Sequence, residues 1–305
     1  AACGSSPPPA PTPAAAKPTP KRPARHAVGA APHGDARIGT FTSDSLTFDT
    51  AAYWIEGPDG VVLIDTGFLT PVAVDFAERA EKATGKKVVE AVVLHANPDK
   101  FNGTATLQAR GVEVVTSAQV AALIPAVHAK RVGWFGKRYA PDYPMAAAEP
   151  AVFGDATRVI EAGGLSLTAH VLGAGCSAAH VAVMFDGHLF VGDLVANENH
   201  AWLELGRLDE WMATLDALIA LDPRWVHPGR GPSGGPELLT RQRAYLADVK
   251  ARVAALSPAG EPDKVKLRGV YDAIVAAYPG YGYPYFVELG LPAVWRALAA
   301  PAAAD

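Results

Sequence analysis

The stretch "KKVVEAVVLHANPDKFNG", residues 86–103, limits the fold more than any other part of the chain. Its first half is a short, β-branched apolar run of the kind that forms a buried strand rather than a surface helix. The run stops at His95. There His95, Asn97 and Asp99 alternate, as metal ligands do at the tip of a strand. A buried strand needs covering layers. Lys100 follows, and an ammonium offers donors only, so it cannot bind a metal while protonated.

The flanking sequence alternates between strand and helix patterns. "SLTFDTAAYWIEG" and "GVVLIDTG" read as strands joined by the turn Pro58-Asp59-Gly60, and "PVAVDFAERAEKATG" as a helix ended by Gly85. "GTATLQARG" is a short helix and "VEVVTS" a strand. "AQVAALIPAVHAKRVGWF" is expected to be helical with a break near Pro125. "TRVIEAG", "LSLTAHVLG", "HVAVMFDG" and "HLFVGDL" form a run of strands, then come the helix "LDEWMATLDALIAL" and the strand "RWVHPGRGP". After Pro236, helices dominate. The class is α/β with mixed sheets covered by helices, and no repeat of solenoid period is present.

Bulk properties exclude several roles. A net charge of -4 gives no basis for nucleic-acid binding. No apolar run approaches the roughly 18–20 residues of a membrane span. The two cysteines, Cys3 and Cys176, are too far apart in sequence to suggest a disulfide framework. Residues 1–34 are rich in Pro, Ala and Ser and read as an extended, weakly basic tether. The opening Ala-Ala-Cys-Gly resembles the processed end of a bacterial lipoprotein. That resemblance implies a periplasmic or outer-membrane-anchored protein whose membrane contact runs only through a lipid on Cys3. The expected organisation is a tether over 1–34, a domain over 35–235 and a helical extension over 236–305.

Four anchors occur in order: "VVLIDTG", "LHANPDKFNG", "GAGCSAAH" with "FVGDL", and "VHPGRGP". Together they resemble the metallo-β-lactamase fold superfamily over about residues 38–235. The resemblance implies a four-layer αββα sandwich with the site at one edge, here followed by C-terminal helices. It also implies a two-zinc ligand set. Carried over position by position, His95, Asp99 and Asp193 match that set, whereas Asn97, Lys100, Cys176 and Arg230 depart from it. Asp65 matches the carboxylate that braces the metal loop, and His180 is expected to start a strand or support the ligands from behind.

These departures lead to two readings. In the first, Lys100 and Arg230 replace the second metal and pair with Asp99 and Asp193 as an ion cluster, since both offer donors only and together carry the formal charge of a zinc ion. A two-zinc centre is then not expected, and the old cleft binds a small-molecule ligand or a partner without hydrolysis by the two-metal route. In the second, one zinc sits on His95, Cys176 and Asp193, with Asn97 as a weak fourth ligand, and the protein hydrolyses an ester, lactone or amide. A nucleophilic Cys176 thiolate, with His95 or His180 as base, ranks last. His200 and Trp134 are candidates for the pocket rim. The aromatic loop 134–144 could wall the pocket or pack, and the loop 278–286 is expected to pack the C-terminal helices.

Overall fold

A computed structural model describes residues 27–29 and 34–300. Cys3 and the rest of the proposed lipoprotein-like start lie outside the described residues. The chain opens with two antiparallel strands, β1 (Ala27–Gly29) and β2 (Ile38–Thr42). Part of the stretch expected to be a tether is therefore an edge strand. A 3₁₀ turn follows at Ser45–Thr47, where a continuous strand was expected. Its cause is local: the Asp44 side chain accepts hydrogen bonds from the Leu46 and Thr47 backbone N–H groups, and Phe48 and Asp49 then take left-handed φ values of 72° and 45°.

Next come β3 (Ala51–Glu56), β4 (Val61–Ile64), α1 (Thr70–Thr84) and β5 (Val88–Val92). Gly85 ends α1 in a left-handed conformation, with its N–H donating to the Glu81 carbonyl. Two short helices, α2 (Pro98–Phe101) and α3 (Thr104–Gln108), lead to β6 (Glu113–Thr116) and α4 (Ala118–Arg131). Helix α4 runs through Pro125, contrary to expectation. Pro125 lies on the exposed face, where water can satisfy the carbonyl it leaves unpaired. Buried Val120, Ile124 and His128 hold the other face. A π-helical turn at Val132–Gly136 carries the chain to β7 (Ala151–Val152).

The second half forms β8 (Arg158–Ala162), β9 (Leu165–Leu172), β10 (His180–Phe185), β11 (His188–Ala196), α5 (Leu208–Ile219) and β12 (Trp225–Arg230). The helices α6 (Glu237–Ala254), α7 (Lys264–Ala277) and α8 (Pro284–Ala299) complete it. None of the described helices is long and apolar enough to cross a membrane.

Two mixed sheets result, one ordered β1 to β7 and the other β12-β11-β10-β9-β8. Strand β11 shows why they stack. Phe190 belongs to the core between the sheets, with its ring 5.4 Å from that of Tyr53, whereas Leu189 and Val191 belong to a second core shared with Trp211 and Leu215 of α5 and Leu246 of α6. All nine residues of β11 are buried, so apart from His188 and Asp193 it reads as an unbroken apolar run rather than alternating. Helix α1 covers the outer face of the first sheet through Phe76, Ala77 and Ala80. The layers are therefore helix, sheet, sheet, helix, with α7 and α8 added at the C-terminal end.

Candidate functional site

The two sheets are stitched at one edge, and the unusual residues lie there. His95 follows β5 and makes an isolated bridge to His180 at the start of β10, and the Val181 N–H donates to the Leu94 carbonyl at 2.6 Å. Thr50 bridges to Arg230 at the end of β12, and the Tyr53 hydroxyl donates to the Pro228 carbonyl at 2.8 Å. Asp65, at φ 70°, turns the chain after β4 so that its carboxylate accepts the Leu94 N–H at 3.0 Å. Thr66 fixes the α2 turn through two contacts to the Lys100 carbonyl, from its N–H at 2.9 Å and its hydroxyl at 2.7 Å.

Lys100 is fully buried at this edge. Its Nζ lies 3.0 Å from Asp193 Oδ1, 3.3 Å from Asp99 Oδ2 and 3.6 Å from Asp65 Oδ2. Arg230 donates from Nη1 to Asp193 Oδ2, and from Nη2 to Asp99 Oδ2 at 3.3 Å. The Thr50 hydroxyl adds a bond to Asp99 at 3.2 Å. Burial alone would push the Asp193 carboxyl up, but Arg230 and Lys100 outweigh it and hold the group far below the carboxylate range. The same opposition of burial against Lys100 and Arg230 leaves Asp99 lowered. Burial acts to lower Lys100, yet the Asp193 and Asp99 carboxylates keep its ammonium above the usual range and therefore charged. For Asp65 burial wins and lifts the carboxyl to about 7. Gly229 makes the packing fit, since a Cβ there would stand 2.0 Å from Asp193 Oδ1.

A second group lies beside this cluster. His95, Cys176 and His180 bring their ligand atoms within 4.8 Å of one another, and this group could hold a metal ion. Sγ of Cys176 is 3.4 Å from His180 Nε2 and 3.8 Å from His95 Nε2. This is not the expected triple of His95, Cys176 and Asp193. Asp193 reaches only 4.0 Å from His95 Nε2, because its oxygens face Lys100 and Arg230. Burial pulls His95 down to about 4 and His180 down to about 3, so both rings are neutral at pH 7. Burial, followed by Asp193 and Asp99, pushes the Cys176 thiol well up. A free thiolate nucleophile is thus disfavoured, because the cations are engaged with carboxylates rather than with sulfur. Asn97 Nδ2 sits 3.8 Å from the sulfur.

Two zinc ions do not fit these residues. The second metal position would draw on Asp99, Asp193 and positions 100 and 230, where an ammonium and a guanidinium already fill the coordination space of both carboxylates.

Asp99, Asp193 and Arg230 of the cluster form the floor of a cleft of about 750 Å³, with Lys100 buried beneath them. Trp134 lines it, as do Phe135, Arg138 and Tyr139 from the same loop, so that loop is a wall. The later aromatic loop differs from expectation by dividing its roles. Tyr278 and Tyr281 pack around His200, whereas Tyr283, Tyr285 and Phe286 line the cleft. His200 is not at the rim. It is 1% exposed, with Nδ1 3.0 Å from the Tyr245 hydroxyl of α6. The correction follows from the C-terminal helices, which fold back over the loop after β11. Arg131, Arg138 and Trp202 also line the cleft, with no sequence signal beyond their nearness to aromatic runs. The partnership of His180 with Cys176 had one available signal, the four-residue spacing across a Gly-containing turn.

A family model described as the metallo-beta-lactamase superfamily matches residues 47–230. Solved structures with the same fold include a metallo-beta-lactamase from Pontibacter korlensis, 21% identical, with a TM-score of 0.57 over 73% of this chain and 99% of that one. Another is the FIM-1 metallo-beta-lactamase from Pseudomonas aeruginosa in its mono-zinc form, 19% identical, with a TM-score of 0.57 over 74% of this chain and 96% of that one. A search of curated proteins gives no match.

Proposed function

The chain belongs to the metallo-beta-lactamase superfamily, and we propose that it binds a small molecule in the inherited cleft rather than hydrolysing one by a two-metal route. One observation carries this reading: Lys100 and Arg230 are buried and paired with both carboxylates that a second metal would need. Membership of a hydrolase fold does not confer hydrolysis, which depends on the site. The fixed cations give the floor the charge balance of a metal centre, but they supply no open coordination position and no metal-activated water.

The walls indicate the ligand's character. Phe48, Phe68, Phe135, Tyr139, Tyr285 and Phe286 present ring faces and edges. Arg138 stands at the cleft with no ion-pair partner among the described residues, stacked beside Tyr139 at 5.2 Å. A ring-bearing acid of drug-like size suits this combination. The single-metal hydrolase on His95, Cys176 and Asp193 is less well supported, because Asp193 is committed to Lys100 and Arg230.

A thermal-shift screen of aromatic acids, run beside ester, lactone and amide turnover assays with added zinc, tests the reading. Expected are ligands that raise the melting temperature, lose affinity in Tyr285→Ala and Arg138→Gln, and are not turned over. Zinc-dependent turnover that disappears in Asp193→Asn would overturn it.

A further inference from the structure

We propose that His95, Cys176 and His180 form a mononuclear site for zinc or a similar borderline-soft divalent ion, distinct from the cleft floor and acting as a clamp between the two sheets. The ligand spacing supports this first. With Zn–S of about 2.3 Å and Zn–N of about 2.0–2.1 Å, tetrahedral geometry separates sulfur from nitrogen by roughly 3.5 Å. The observed separations are 3.4 Å to His180 and 3.8 Å to His95, near that value, and all three ligand atoms lie within 4.8 Å of one another, so an ion would draw the two imidazoles closer together.

The tautomer of His180 supports it next. His180 Nδ1 faces the Gly173 carbonyl at 3.1 Å, which fixes the proton there and leaves the Nε2 lone pair aimed at the sulfur. A carbonyl behind a ligating imidazole is the usual way such a ring is oriented. Gly175 allows the loop to close on this ring, since a Cβ there would stand 2.9 Å from His180 Cε1 and 2.4 Å from Leu194. His95 is fully buried, yet among the described residues its ring nitrogens make no hydrogen bond to an oxygen or nitrogen, Asp193 Oδ2 standing 4.0 Å away, and they face the sulfur at 3.8 and 3.9 Å. A buried imidazole without a proper partner is costly unless something else engages it.

The chemistry of the set then selects the ion. One thiolate and two imidazoles suit zinc, and soft sulfur disfavours magnesium and calcium. Binding replaces the Cys176 S–H bond with an S–metal bond and releases one proton to solvent. Asn97, at the cleft wall and 3.8 Å from the sulfur, is placed to complete the shell through its amide oxygen after a side-chain flip. His95 extends from the first sheet and His180 opens β10 of the second, so the ion would cross-link the layers where the cleft begins. The assignment differs from the inherited arrangement by using His180 in place of Asp193.

Cobalt(II) titration of the full chain, stripped by chelator, tests it. Expected are one cobalt per chain, a thiolate-to-cobalt charge-transfer absorption, one proton released per ion, and a raised melting temperature with zinc. Cys176→Ser should abolish the charge-transfer band. His180→Gln should weaken binding by about 100-fold or more, since a direct ligand counts for at least as much as an outer-shell partner, and by a larger factor than Asp193→Asn. Should a variant fold poorly, imidazole nitrogen NMR of the wild type decides, since zinc on both His95 and His180 shifts two ring resonances, whereas zinc on His95, Cys176 and Asp193 shifts one. Overturning results are no charge-transfer band in the wild type at saturating cobalt, or binding lost in Asp193→Asn and kept in His180→Gln. None of these readouts depends on a cleft ligand, so failure here leaves the proposed ligand-binding function standing.

Discussion

Replacing Lys100 by Met should destabilise the protein by about 3–5 kcal/mol at pH 7.5. Methionine keeps most of the side-chain volume, so packing changes little. What is lost is the ammonium at 3.0, 3.3 and 3.6 Å from Asp193, Asp99 and Asp65, in a site with no exposure. Arg230 alone then pairs with Asp99 and Asp193, and the buried Asp65 loses the cation beside it. Removing one partner of a buried ion pair costs about 3–5 kcal/mol, because the other charge is stranded. That is a large part of a typical folding free energy of about 5–15 kcal/mol. The assay is urea unfolding followed by far-UV circular dichroism, in chelator. Adding Asp193→Asn to Lys100→Met should recover part of the loss, with a coupling of about 1–3 kcal/mol. The pH sign is also fixed. Without the cation the carboxyls have raised folded pKa values, so their stability contribution is present at low pH and lost as pH rises. The deficit should therefore be smaller at pH 5 than at pH 8. A loss below about 1 kcal/mol, or strict additivity in the double variant, would refute the pairing argument.

Three further outcomes are expected. For the chelated wild type, His95 and His180 are lowered to about 4 and about 3, so the stability they confer is complete above their unfolded pKa of 6.5 and is lost as pH falls. Asp65, raised to about 7, opposes them by losing stability as pH rises from its ordinary value of 3.8. His200, lowered to about 4, acts with them, and Glu90, raised to about 7, acts with Asp65, so three groups against two give a net rise of about 1 kcal/mol per unit between pH 4.5 and 5.5 that flattens towards pH 6.5, measured by urea unfolding at each pH. Cys176, 3% exposed and with its thiol pushed up, should resist alkylation in the native metal-free protein and react rapidly in urea, as read by mass spectrometry. Gly229→Ala should cost at least about 1–3 kcal/mol, since its Cβ collides with the Asp193 carboxylate; a neutral substitution by urea unfolding would remove that packing argument.

The sandwich was legible because its signals are local and ordered. The apolar run into His95, the Asp65 turn and the Pro-Gly-x-Gly after His227 each fix a strand end. The residues meeting at the floor were legible as positions in the family's ligand set, although their role in place of a metal is our proposal. What the sequence hid depends on tertiary placement. His200 reads like a loop residue after β11, but α6 and the loop after α7 cover it with Tyr245, Tyr278 and Tyr281. Tyr283, Tyr285 and Phe286 face the cleft because Tyr283, at φ 58°, redirects the chain into α8, a turn that no local pattern marked. Pro125 reads as a helix breaker, yet buried side chains on the opposite face carry α4 past it.

Native mass spectrometry of the full chain after zinc saturation and removal of excess metal tests the central claim most directly. The account predicts no more than one zinc per chain in the wild type and a second only when Lys100 and Arg230 are both replaced by His. Two zinc ions bound to the unaltered chain, with both lost in Asp193→Asn, would contradict it.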